Sequence, residues 1–144
     1  MTRLTIISNK RSGDLVQALN RLVDARRDPG LDIDLDARPP RDLARAVEVV
    51  VVRTVQEALS NISRHSRAAR AEVVVAVERL GAERELVIAV TDDGTGTGGR
   101  AEGTGLTGMR SRVESLGGTL TVDLARAPDA DGRTETVVKA RIPL

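Results

Sequence analysis

A chain of 144 residues with 40% hydrophobic and 30% charged side chains has the size and composition of one folded domain, not of a disordered segment. No apolar run approaches the ~20 residues of a membrane span, and no charged-then-apolar leader opens the chain. With no cysteine and a single histidine, His65, the sequence excludes disulfide frameworks, thiolate metal sites and two-histidine catalytic centres. Twenty-two basic and 21 acidic residues leave a net charge of +1, and Phe, Tyr and Trp are all absent. There is thus no global field for nucleic acid and no aromatic platform for base stacking. These features point to a cytoplasmic chain without direct membrane contact.

Residues 3–8 (RLTIIS) read as a short strand or an appended remnant. In DLVQALNRLVDARR (14–27), Leu15, Leu19, Leu22 and Val23 fall on one helical stripe, with Asp14 as the expected N-cap and Asp28-Pro29-Gly30 as the stop. LDIDLD (31–36) alternates strictly, as a half-buried strand does. After Pro39-Pro40, residues 42–66 read as one long helix. The valine run 49–52 favours a strand by propensity, but helix formers flank it and apolar residues recur at 43, 47, 51, 55, 59 and 62. AEVVVAVERL (71–80) and RELVIAVT (84–91), joined through Gly81, form a hairpin. A loop spans 92–105 and a helix 106–116, ended by Gly117-Gly118. TLTVDL (119–124) and TETVVKARI (134–142) are the last strands. This mixture predicts an α/β chain: a two-layer sandwich whose mixed, mostly antiparallel sheet is covered by helices on one face.

Three stretches carry chemistry. Nine of the 13 glycines lie between residues 94 and 118, and such a loop lets backbone amides approach an anion at a following helix start. It is no Walker A loop, since no Gly-Lys-Ser/Thr follows, and Gly103-Thr-Gly105-Leu-Thr-Gly108 follows a loop where a dinucleotide fingerprint follows a strand. Asp92-Asp93-Gly94-Thr95-Gly96 closes a strand. A carboxylate there, above an apolar sheet, can accept an exocyclic amine, although the same string also suits an ordinary turn. Glu57 and Asn61 are spaced i and i+4 on the long helix, with Arg64 and His65 one turn on. That face is either solvated or able to hold a metal-phosphate group, because an Asn oxygen suits Mg²⁺.

In this order the three stretches resemble the N, G1 and G2 boxes of the ATP-binding superfamily of gyrase, histidine kinases and mismatch-repair proteins. VQEALSNISRHSRA (55–68), VTDDGTG (90–96) and GTGLTGMRSRVESLGGTLTV (103–122) are most similar to sensor histidine kinases paired with helix-turn-helix response regulators, and the final RIPL resembles that family's last strand. The resemblance covers about residues 31–144. It implies a Bergerat-type ATP-binding fold with ATP and Mg²⁺ as cofactors. It implies that Asn61 binds Mg²⁺, that Glu57 orients or activates at the γ-phosphate, and that Arg64 and His65 lie near the phosphates. Asp92 takes the adenine amino group, Gly94 and Gly96 shape its pocket, and Thr136 is a candidate for a water-mediated adenine contact. Gly103, Thr104, Gly105, Leu106 and Gly108 form the lid and helix start over the phosphates. Residues 1–30 are expected to be the remnant of a link to a dimerisation domain, and 31–144 the catalytic domain.

The chain departs from the family pattern in two ways. The lid is short and lacks aromatic residues, which predicts modest affinity and a lid disordered when empty. No phosphoacceptor region is present, since the lone histidine lies in the N box. The acceptor histidine therefore belongs to a separate dimerisation domain, acting in cis in a longer kinase or in trans. A response regulator is expected downstream, and this domain alone should be monomeric and should not phosphorylate itself. Two other functions fit the motifs less well. An anti-sigma-factor serine kinase matches the segment after the G2 box poorly, and a non-catalytic nucleotide-sensing module does not need Glu57, Asn61 and Asp92 intact. DNA binding would rest only on Arg53, Arg64, Arg67 and Arg70, without a reading motif.

Overall fold

The computed structural model describes residues 3–6, 13–26, 30–94, 104–127 and 129–144. Its strands are β1 (Arg3–Ile6), β2 (Asp32–Ala37), β3 (Arg70–Leu80), β4 (Glu83–Asp92), β5 (Thr119–Arg126) and β6 (Glu135–Pro143), and its helices are α1 (Gly13–Ala25), α2 (Arg45–Asn61) and α3 (Thr104–Glu114). The six strands form one sheet in the order β1-β2-β3-β4-β6-β5. β1, β2 and β3 run parallel, while β4, β6 and β5 continue antiparallel. The expected α/β sandwich is therefore present, with α2 as the parallel crossover from β2 to β3. The last strand, β6, inserts between β4 and β5.

Period-two alternation sorts the sheet into an inner and an outer face. Leu35, Val73, Val90, Val138 and Val122 lie in register across five strands, as do Ala37, Val75, Ile88, Ala140 and Leu120. These rows meet the helices in one core, which also takes Leu15, Val16, Leu19 and Val23 of α1 and Leu106, Met109 and Val113 of α3. β1 and α1 thus share the sheet and core with the rest of the chain. The outer face carries a charged cluster across the interior strands β3, β4 and β6, where Arg141 hydrogen-bonds Glu78 and lies 3.6 Å from Glu85. Among the described residues, no helix is long and apolar enough to cross a membrane.

The valine run resolves as a helix face. Val50 and Val51 are buried, Val52 is half-buried and Val49 is exposed, a sequence that follows a helical turn and breaks strand alternation. Four local expectations shift. Asp14 lies in the first turn of α1 rather than at its N-cap, and in the buried stripe Val16 replaces Leu22, which is only half-buried. α2 starts at Arg45, three residues later than expected, behind an uncapped Ala44. Asp42, the nearest candidate cap, instead pairs with Arg84 at 3.4 Å. α3 runs two residues ahead of its expected span. Its end is a Schellman motif, with Gly117 at φ +77, its N–H on the Glu114 carbonyl and the Gly118 N–H on that of Val113.

Candidate functional site

The inner-face row nearest the glycine loop changes character. Ile33, Ala71, Asp92 and Thr136 are consecutive register partners across β2, β3, β4 and β6, so a carboxylate and a hydroxyl close an otherwise apolar face. Both are buried, Asp92 at 6% and Thr136 at 4% exposure. Asp92 Oδ1 accepts the Gly94 N–H at 2.9 Å. A carboxylate offers about four lone-pair sites and so can accept from several donors at once. The Thr136 hydroxyl is buried without a hydrogen-bond partner. A buried hydroxyl in that condition carries a desolvation penalty that a ligand or a water relieves. The pair therefore suits a ligand or water that can both donate to the carboxylate and satisfy the buried hydroxyl.

The second part is the end of α2. Glu57 and Asn61 are both half-buried on one face of this helix, as their spacing requires. Arg64 donates to Asn61 Oδ1 at 3.2 Å, which joins those two residues into one polar group. Asn61 is the last residue of α2, and the chain continues as a π-helical turn, Ile62–Ser66. His65 falls in that turn; its side chain lies outside the described residues, as do Gly96 and Gly103 and the lid expected to be disordered. Among the described residues, no group of three His, Cys, Asp or Glu could hold a metal ion. Mg²⁺ takes few protein oxygens beside phosphate oxygens and waters, and Asn61 is the one amide oxygen this face would offer it.

The third part is the start of α3, where Thr104 and Gly105 form the first turn. Leu106 is buried at 8% exposure and anchors that turn in the core. Gly108 is packed against a guanidinium: Arg112 Nη1 lies 3.3 Å from where a Cβ would stand. α2 and α3 pack against one another.

Two residues outside the expected set belong to this corner. Asp93 Oδ1 accepts the backbone N–H groups of Ala69 and Arg70, each at 2.9 Å. Thr134, buried at 1%, donates its N–H to the Gly94 carbonyl at 2.8 Å. The two adjacent carboxylates have different partners: Asp92 ends β4 and bonds Gly94, whereas Asp93, just past the strand, bonds the amides that lead into β3.

A family model described as histidine kinase-, DNA gyrase B-, and HSP90-like ATPase matches residues 46–144. The chain is 38% identical over 99 residues to the sensor histidine kinase YxjM of Bacillus subtilis, covering 64% of this chain and 22% of that protein. It is 39% identical over 82 residues to the signal transduction histidine-protein kinase/phosphatase UhpB of Salmonella typhimurium, covering 56% and 16%. The chain thus spans about a fifth of these relatives' length. In fold it resembles the blue-light activated histidine kinase of Erythrobacter litoralis, with a TM-score of 0.69 at 20% identity, over 93% of this chain and 53% of that one. It also resembles the mycobacterial sensor histidine kinase MprB, with a TM-score of 0.61 at 20% identity, over 90% and 92%. With the motif order, the sheet and the polar sheet end all in agreement, the chain belongs to the histidine kinase-, DNA gyrase B-, and HSP90-like ATPase family.

Proposed function

We propose that this chain is the ATP-binding catalytic domain of a two-component sensor histidine kinase. It binds Mg-ATP and presents the γ-phosphate to a histidine on a separate dimerisation domain, with a response regulator downstream. The carrying observation is the buried Asp92–Thr136 pair closing an apolar sheet face, with the unpartnered Thr136 hydroxyl beside the carboxylate. Asp92 accepts the adenine amine, Thr136 contacts the ring through water, and Gly94 and Gly96 shape the pocket. Asn61 holds Mg²⁺, Glu57 orients at the γ-phosphate, and Arg64 and His65 lie near the phosphates. Gly103, Thr104, Gly105, Leu106 and Gly108 place amides over the same phosphates. A bound Mg²⁺ would supply charge neutralisation at the phosphates, and the chain's own residues contribute positioning and electrostatic complementarity. Residues 31–144 form the nucleotide-binding unit, and residues 1–30 lead toward the histidine-bearing domain while supplying α1 to the core. The domain works in the cytoplasm without contacting nucleic acid or lipid.

Calorimetric titration with a non-hydrolysable ATP analogue, with and without Mg²⁺, tests this directly. Wild type should bind more tightly with Mg²⁺, and Asn61→Ala should lose that gain. No binding at millimolar analogue would refute the proposal.

A further inference from the structure

The chain leaving α2 is strained in a way that helix propensity does not explain. A π-helical turn follows Asn61, and its C-cap, Arg67, stands at φ 54, ψ 31. Arg67 is the only non-glycine residue with positive φ among the described residues. A left-handed arginine pays a steric penalty against its Cβ, and π turns and left-handed non-glycine residues persist only where neighbours over-determine them. The neighbours here are specific. Two residues beyond Arg67, the Ala69 and Arg70 amides both donate to Asp93 Oδ1 at 2.9 Å. The Asp93 N–H returns to the Arg70 carbonyl at 3.2 Å, and the Ala69 carbonyl accepts the Asp32 N–H at 2.9 Å. Arg133 donates to the Asp93 carbonyl at 3.4 Å, which ties the approach to β6 into the same corner.

We infer that Asp93 is a positioning residue that sets the Asn61–Arg64 face of α2 relative to the Asp92 carboxylate. The inference rests on the nucleotide-binding role proposed above and adds a device to it. Adjacent carboxylates on one strand end divide the work: Asp92 faces the adenine side of the sheet, and Asp93 clamps the exit of the helix that carries the metal-phosphate group. Asp93 acts through its acceptor oxygen, since one oxygen takes both amides. An asparagine oxygen can take the same two bonds, whereas alanine offers none.

The test uses the full chain as wild type, Asp93→Ala and Asp93→Asn. Each is titrated with a non-hydrolysable ATP analogue with and without Mg²⁺, and each is followed by amide hydrogen exchange. In Asp93→Ala, the Mg²⁺-dependent gain in affinity should fall about tenfold, the scale of one lost hydrogen bond to a charged acceptor. Exchange at residues 61–70 should rise while that at Val73 and Ile88 stays slow, and Asp93→Asn should restore both readouts. Unchanged affinity and Mg²⁺ gain in Asp93→Ala overturns the inference. So does a rise in exchange across all core strands, which would make Asp93 an ordinary fold contact, and so does failure of asparagine to restore binding. If wild type binds no nucleotide, the proposed function falls, and exchange alone decides whether Asp93 holds the helix end.

Discussion

Replacing Asp92 by asparagine isolates the chemistry of the sheet end with little change in shape. The asparagine oxygen can keep the bond that Oδ1 makes to the Gly94 N–H, 2.9 Å long in the wild type. Its amide nitrogen then turns N–H groups toward the adenine amine, where a carboxylate would accept. A hydrogen bond to a charged group contributes about 1.5–3 kcal/mol, and the upper half of that range corresponds to a loss of roughly 30- to 150-fold in affinity. The fold should hold, because the substitution removes a charge from a site only 6% exposed and leaves its turn bond in place. Calorimetry with the Mg²⁺-loaded ATP analogue measures the loss, and circular dichroism melts check that the midpoint moves by less than about 2 °C. The GTP analogue gives a second readout. Its ring carries a carbonyl oxygen where adenine has the amine, so asparagine should narrow the preference for ATP. Retention of affinity within about threefold, or a loss that tracks a falling melting temperature, would refute the role given to Asp92.

Three further outcomes follow from the same geometry. Gly118→Ala should cost about 3 kcal/mol and lower the melting temperature by roughly 10 °C, because its Cβ would stand 2.3 Å from the Arg141 carbonyl and 2.9 Å from Val113 Cγ1; a melt within two or three degrees of wild type would show that the α3–β5 corner yields. Thr54→Val should raise stability by about 1 kcal/mol in urea titration, since the Thr54 hydroxyl is 1% exposed and without a hydrogen-bond partner; destabilisation would mean that the hydroxyl holds a structural water. Light scattering of the purified chain should give the mass of a monomer at all concentrations tested, and a stable dimer would contradict that expectation.

Local pattern alone determined much of this protein. The alternation of residues 31–36 and of the 71–91 hairpin reports which side chains face a core, because strand geometry imposes period two whatever the partner. The stripe 47, 51, 55, 59 overrides the strand preference of the valines for the same reason, at the helical period. The boxes were legible because the order and spacing of Glu57, Asn61, Asp92 and the glycines resemble one family pattern. Tertiary structure decided what depends on partners distant in sequence. Nothing local says that β6 enters between β4 and β5, yet only that insertion puts Thr136 in register with Asp92. Nor does any local signal show that Asp93 accepts the amides of Ala69 and Arg70, more than twenty positions back in the chain and just beyond the left-handed Arg67. Asp42 pairs with Arg84, a partner 42 positions on, and α2 starts at Arg45 behind an uncapped Ala44, neither of which the local sequence shows. Periodicity is a property of one segment, whereas register, strain and competition for a side chain exist only once segments meet.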